Sequence, residues 1–118
     1  MPVRSSTSRV LKWPDREAVD AAVRALAARW VSEHPELRRV GYFGSYARGD
    51  WGVGSDVDLI AIVARSARPY TERALDFELT GLPVPADLLV YTEDEWRALA
   101  AASPRCAQRL ATETVWVL

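Results

Sequence analysis

Two aspartates, Asp56 and Asp58, stand two residues apart at the head of the apolar run Leu59-Ile60-Ala61-Ile62-Val63. Side chains at i and i+2 of a strand point to the same face, so these carboxylates project together, with Cα atoms about 6 to 7 Å apart. About a dozen residues earlier, Gly44-Ser45 forms a small turn where an anion can come close to backbone N–H groups. Two hard oxygen ligands beside an anion-friendly turn are what a magnesium–nucleotide site needs. Arg48 lies three residues past Ser45, about one helical turn on, and its forked guanidinium suits a phosphate. Ser55, just before the pair, can fix the turn that delivers Asp56 or add a donor to a bound nucleotide. Asp87 interrupts a second apolar run, Ala86-Asp87-Leu88-Leu89-Val90, where a carboxylate is costly unless paired or on a metal. Taken alone it would be a turn cap at an exposed strand start; beside Asp56 and Asp58 it becomes a third candidate ligand. Three carboxylates with no basic partner in sequence repel one another unless a divalent cation neutralises them.

The elements that hold these groups follow from the pattern around them. Pro14-Asp15 opens a helix in which Val19, Ala22, Val23, Leu26 and Trp30 recur on one face, and His34-Pro35 stops it. Leu37 to Phe43 is β-rich and runs straight into Gly44. Asp56 to Val63 is a second strand, apolar on both faces beyond Asp58, which marks a central, covered position. A helix is expected from Tyr70 to about Asp76, although Leu75, Phe77 and Leu79 also alternate as a strand would. Ala86 to Tyr91 is the third strand. Thr92 and Glu95 form a capping box for a helix bearing Trp96 and Leu99. Ser103-Pro104 starts a last helix to about Ala111, and Thr114 to Leu118 is a short terminal strand. The polar residues 4 to 8 are expected to fray. The fold class is α/β (α+β), a small mixed sheet covered by helices on one main face.

Residues 44 to 59 resemble the signature of the nucleotidyltransferase superfamily that includes DNA polymerase beta, in its minimal prokaryotic form. That signature is Gly-Ser, two residues, Arg-Gly, five residues, then Ser-Asp-x-Asp-Leu. Gly44-Ser45, Arg48-Gly49 and Ser55-Asp56-Val57-Asp58-Leu59 match it without a gap. The resemblance implies Asp56, Asp58 and Asp87 as catalytic, metal-binding carboxylates for two Mg²⁺ ions, and Gly44, Ser45, Arg48 and Ser55 as the nucleotide-binding set. It implies ATP or another nucleoside triphosphate as substrate and a hydroxyl as acceptor of the nucleoside monophosphate. Minimal members often pair with a HEPN-type toxin, in some cases transferring AMP to a toxin tyrosine. A toxin partner or self-association is therefore expected, through surface that includes Trp116 or Trp51. The rival reading is a catalytically silent antitoxin that neutralises a partner by contact alone.

Composition narrows the alternatives. The 118 residues, 49% hydrophobic and 26% charged, are expected to form one globular domain over 1–118. A net charge of −1 gives no basic field for non-specific nucleic-acid binding. The single cysteine, Cys106, and the lack of a membrane-length apolar run or signal-like N-terminus point to a cytoplasmic protein. Fourteen of the 15 basic residues are Arg, Asn is absent and Gln108 is the one Gln. That bias suits a thermophile and a GC-rich genome equally. Arg48-Gly49-Asp50 reads as a chance adhesion tripeptide. Gly52-Val53-Gly54 lacks the third glycine and following helix of a dinucleotide loop. His34 is read as a helix cap.

Overall fold

A computed structural model of the protein describes residues 13–118; the stretch 4–8 lies outside the described residues. Helix α1 (Arg16–Glu33) begins where the Asp15 side chain accepts a hydrogen bond from the Ala18 N–H at 3.0 Å. It ends where His34, held extended before Pro35, donates its N–H to Trp30 O at 2.8 Å. Strand β1 (Leu37–Phe43) leads into the one-turn helix α2 (Ser45–Arg48), and β2 (Val57–Val63) follows. A 3₁₀ segment (Tyr70–Asp76) precedes β3 (Ala86–Thr92). Helices α3 (Glu93–Ala102) and α4 (Pro104–Glu113) and the two-residue strand β4 (Val115–Trp116) complete the order.

The sheet order is β3-β2-β1-β4, with β1 antiparallel to β2 and β4, and β2 parallel to β3. Alternation sorts its side chains into two faces. One face carries Val40, Tyr42, Val57, Leu59, Ala61, Val63 and Val90, which pack with Val19, Val23, Leu26, Ala27 and Trp30 of α1 in the main core. Trp30 is fully buried, meets Phe77 edge-on at 4.9 Å between ring centroids, and donates its indole N–H to Glu78 O at 2.9 Å.

The other face carries Asp58, Ile60 and Ile62 on β2. The register adds Phe43, Gly41 and Arg39 from β1, Asp87, Leu89 and Tyr91 from β3, and Trp116 from β4. Ile60 and Ile62 are buried there too. Trp96 of α3 lies 6.0 Å from Tyr91 and 6.0 Å from Trp116, so an aromatic row spans the sheet from β3 to β4. The Arg39 guanidinium sits over the Trp116 ring at 3.7 Å. Gly41 makes room for this closure: a Cβ there would fall 2.5 Å from Thr114 Cγ2 and 2.9 Å from Trp116 Cε3.

Helices therefore cover both faces, where one main face was expected. A strand as apolar as β2 on both sides needs cover on both. The other departures are local. The ambiguous residues after Asp76 form no strand; Phe77 turns into the core while Leu75 stays exposed. Helix α4 runs two residues past Ala111, and the terminal strand shrinks to two residues, although Val117 and Leu118 still bond to Val40 through the backbone. Trp116 is drawn inward against Arg39 and Trp96, and Trp51 stacks on Tyr46 at 5.5 Å.

Glu95 joins three elements. Its carboxylate accepts from the Thr92 N–H, closing the capping box, and takes two guanidinium bonds from Arg73, at 2.5 and 3.0 Å. Arg73 is buried and also donates to Val90 O and Arg68 O. The 3₁₀ segment is thereby tied to β3 and to the start of α3.

Candidate active site

Gly44 occupies the corner between β1 and α2 with φ 77° and ψ −152°, a conformation open to glycine alone. A side chain is excluded for a second reason, since a Cβ on Gly44 would overlap the Asp58 carboxylate. The turn and the carboxylate are thus pressed together by the β1–β2 pairing, in which Phe43 faces Asp58. Helix α2 is a single turn that ends at Gly49 in the left-handed region. The Ala47 and Arg48 amides bond to Gly44 O at 3.1 and 3.0 Å, and the Ser45 and Tyr46 amides ahead of them have no preceding helical carbonyl and remain donors.

Asp58 is half-buried near the start of β2, and Asp87 is its register partner on β3. Adjacent strands lie about 4.8 Å apart and the two side chains share a face, so the carboxylates are neighbours. Asp56 sits just ahead of the strand, which begins at Val57 rather than at Asp56. Its approach is fixed by a tight turn in which the Gly52 N–H donates to Ser55 Oγ at 2.8 Å and the Ser55 N–H to Gly52 O at 3.0 Å. The indole N–H of Trp13 holds Ser55 O from the other side at 3.2 Å. Ser55 is engaged in building this turn.

Burial, followed by the negative charges of Asp87 and Asp56, pushes the Asp58 carboxyl above the ordinary carboxylate range; Glu113 adds to the effect and Arg48 opposes it. A site that disfavours its own ionised carboxylate is one where a cation is welcome. The donor set consists of hard oxygens, which suits Mg²⁺. Among the described residues no three acidic, histidine or cysteine groups close into a cage for an ion. Magnesium typically keeps waters and takes one or two carboxylates plus substrate phosphates, so these residues fit it as a site completed by the ligand.

An open cleft of about 590 Å³ joins these parts, lined on one side by Gly44, Ser45, Arg48, Asp56 and Asp58. Asp87 and Ser55 lie beside it, outside its lining. The opposite wall is α4, through Cys106, Arg109, Leu110 and Glu113. Arg48 NH1 donates to Glu113 Oε1 at 2.8 Å and Nε to Asp50 Oδ2 at 3.2 Å. The α4 wall was not found by sequence reasoning. Glu113 is 65 residues from Arg48, and no local spacing marks which turn of a C-terminal helix will face a cleft. The amphipathic spacing of Cys106, Leu110 and Glu113 was the one available signal.

Residues 23–110 match the family of nucleotidyltransferase domains, and the chain belongs to that family. A crystal structure of a Sulfolobus solfataricus protein, provisionally described as a nucleotidyltransferase, shares the fold with a TM-score of 0.55 and 23% identity. The alignment covers 74% of this chain and 82% of that one. A toxin–antitoxin structure with AMP-PNP aligns with a TM-score of 0.49 and 20% identity, over 80% of this chain and 72% of that one. No curated protein matches the sequence. Among the described residues no helix is long and apolar enough to cross a membrane.

Proposed function

We propose that the protein transfers a nucleoside monophosphate, AMP from ATP foremost, to a hydroxyl acceptor. The observation that carries this reading is the single cleft in which the Gly44-Ser45 turn meets Asp56 and Asp58, with Asp87 alongside. The chain's family membership supports the same chemistry.

In this reading the Ser45 hydroxyl and the first amides of α2 donate to the phosphates and fix the donor's orientation. A guanidinium has five N–H groups, and Arg48 commits two of them to Glu113 and Asp50, leaving others for a phosphate oxygen. Asp56, Asp58 and Asp87 would hold magnesium, which when bound offsets the negative charge that gathers on the phosphoryl and leaving oxygens. The acceptor oxygen forms its bond to the α-phosphorus as the bond to pyrophosphate breaks. Its proton passes to the Asp87 carboxylate, which is exposed beside Asp58 and open to an incoming hydroxyl.

The acceptor we infer from the family resemblance is a tyrosine of a HEPN-type toxin, which makes the protein an antitoxin that acts by modification. The test is to incubate the protein with the product of its neighbouring gene, Mg²⁺ and ATP labelled at the α- or the γ-phosphate. Label from the α-position on the partner, and none from the γ-position, is the expected result. A stable complex that acquires no label would replace this reading with neutralisation by contact.

A further inference from the structure

The cleft is acidic before any substrate enters it. Asp56, Asp58 and Glu113 line it, and Arg48 is already matched by Glu113 and Asp50. A nucleoside triphosphate adds several more negative charges, so holding it requires cations that the protein has not already paired. Two stand on α4. Arg105 and Arg109 are four residues apart, hence on one helix face, and among the described residues neither forms an ion pair. Arg109 belongs to the cleft and also to an adjoining groove of about 520 Å³, where Arg105, Gln108 and Thr112 join it. The groove shares Arg48, Arg109 and Glu113 with the cleft, so the two form one continuous depression running outward from the carboxylates along α4.

We propose that this α4 groove is the seat of the donor's triphosphate tail, with Arg109 binding the β- and γ-phosphates and Arg105 extending the cationic wall outward. The inference deepens the nucleotidyltransferase reading and rests on it. It gives Glu113 a positioning role: by holding Arg48, it leaves Arg109 as the unmatched cation among the residues that line the cleft. Gln108 and Thr112 supply neutral donors along the same path. Affinity should then depend on phosphate number, because AMP does not extend into the groove.

The experiment is calorimetric titration of the full chain with ATP, AMP and inorganic tripolyphosphate, in Ca²⁺ to limit turnover, with circular dichroism as a check on folding. Arg109→Ala should weaken ATP and tripolyphosphate binding roughly tenfold to a hundredfold and leave AMP binding within about twofold. Arg105→Ala should do the same to a smaller degree, Arg109→Lys should recover part of the loss, and the salt dependence of ATP binding should flatten in both alanine variants. Equal ATP affinity in Arg109→Ala and the unaltered chain overturns the proposal, as does an equal loss for ATP and AMP. If the unaltered chain binds ATP and transfers its label while Arg109→Ala binds as well, this inference alone fails. If the unaltered chain binds no nucleoside triphosphate, the nucleotidyltransferase reading fails and takes the inference with it.

Discussion

The two faces of the sheet are built from the same strands and serve opposite ends. Toward α1, β2 presents Leu59, Ala61 and Val63, all sealed from water in the main core. Toward α3 and α4 the same strand presents Ile62 and Ile60, also sealed, and then Asp58, which is not. One face is closed along its whole length. The other is closed by aromatic rings at the Tyr91–Trp116 end and left open where the carboxylates gather. Within a few residues of one strand, burial gives way to electrostatic strain, because Asp58 carries a raised pKa on a strand whose apolar side chains are all buried. The closed face can supply the stability that the open end gives up, which is the usual arrangement when function needs unfavourable charges held in place.

Changes at each face should therefore move different observables. Asp58→Ala should abolish label transfer while leaving the thermal midpoint unchanged or higher, since it removes one member of a repelling cluster. Full activity in that variant would break the assignment of the open face to catalysis. Trp30→Ala, on the closed face, should cost about 3 to 5 kcal/mol by urea denaturation, through the cavity left by a fully buried indole and the loss of its bond to Glu78 O. A loss below about 1 kcal/mol would show that α1 is not the main source of stability. Gly41→Ala should cost about 1 to 3 kcal/mol by overpacking against Thr114 and Trp116. Its effect on α4 should appear as weaker nucleotide binding, which Trp30→Ala should not produce in molecules that remain folded.

The smallest effect is a pH dependence. The folded-state pKa of Asp58 is raised, so the folded form holds that proton more tightly than the unfolded chain does. Its contribution is favourable below the ordinary carboxylate pKa and is lost as pH rises through the folded value. Asp58→Asn should accordingly be more stable than the unaltered chain at neutral pH, with the gap closing on acidification. Thermal melts at several pH values would show a constant gap if the shift were absent.

The carboxylate pair and the glycine corner were legible in the sequence because the conformation of each is shaped mainly by its near neighbours. The φ of Gly44, the turn at Gly52–Ser55 and the alternation along β2 are set within a few residues. Asp87 was legible because one carboxylate in an otherwise apolar run demands an explanation, and the parallel register puts it beside Asp58. The capping box of Thr92 and Glu95 was legible for the same local reason. What could not be read were encounters between distant segments: Arg48 with Glu113, Arg73 with Glu95, and Trp96 with Trp116. In each pair nothing in the sequence around one residue marks the other as its partner, and only the packing of distant elements makes them neighbours.

The linkage at Glu95 bears on the order of folding. Parallel strands cannot be joined by a hairpin, so β2 and β3 meet only after the intervening chain has crossed over, a non-local step that is intrinsically slow. The Arg73 guanidinium reaches Glu95 and Val90 O together only when the crossover, β3 and the first turn of α3 are all in place. On that order of events the ion pair is a latch that engages after the crossover. Glu95→Gln should consequently hasten unfolding and leave refolding nearly unchanged in stopped-flow measurements. A matching loss in the refolding rate would place the crossover inside the folding nucleus.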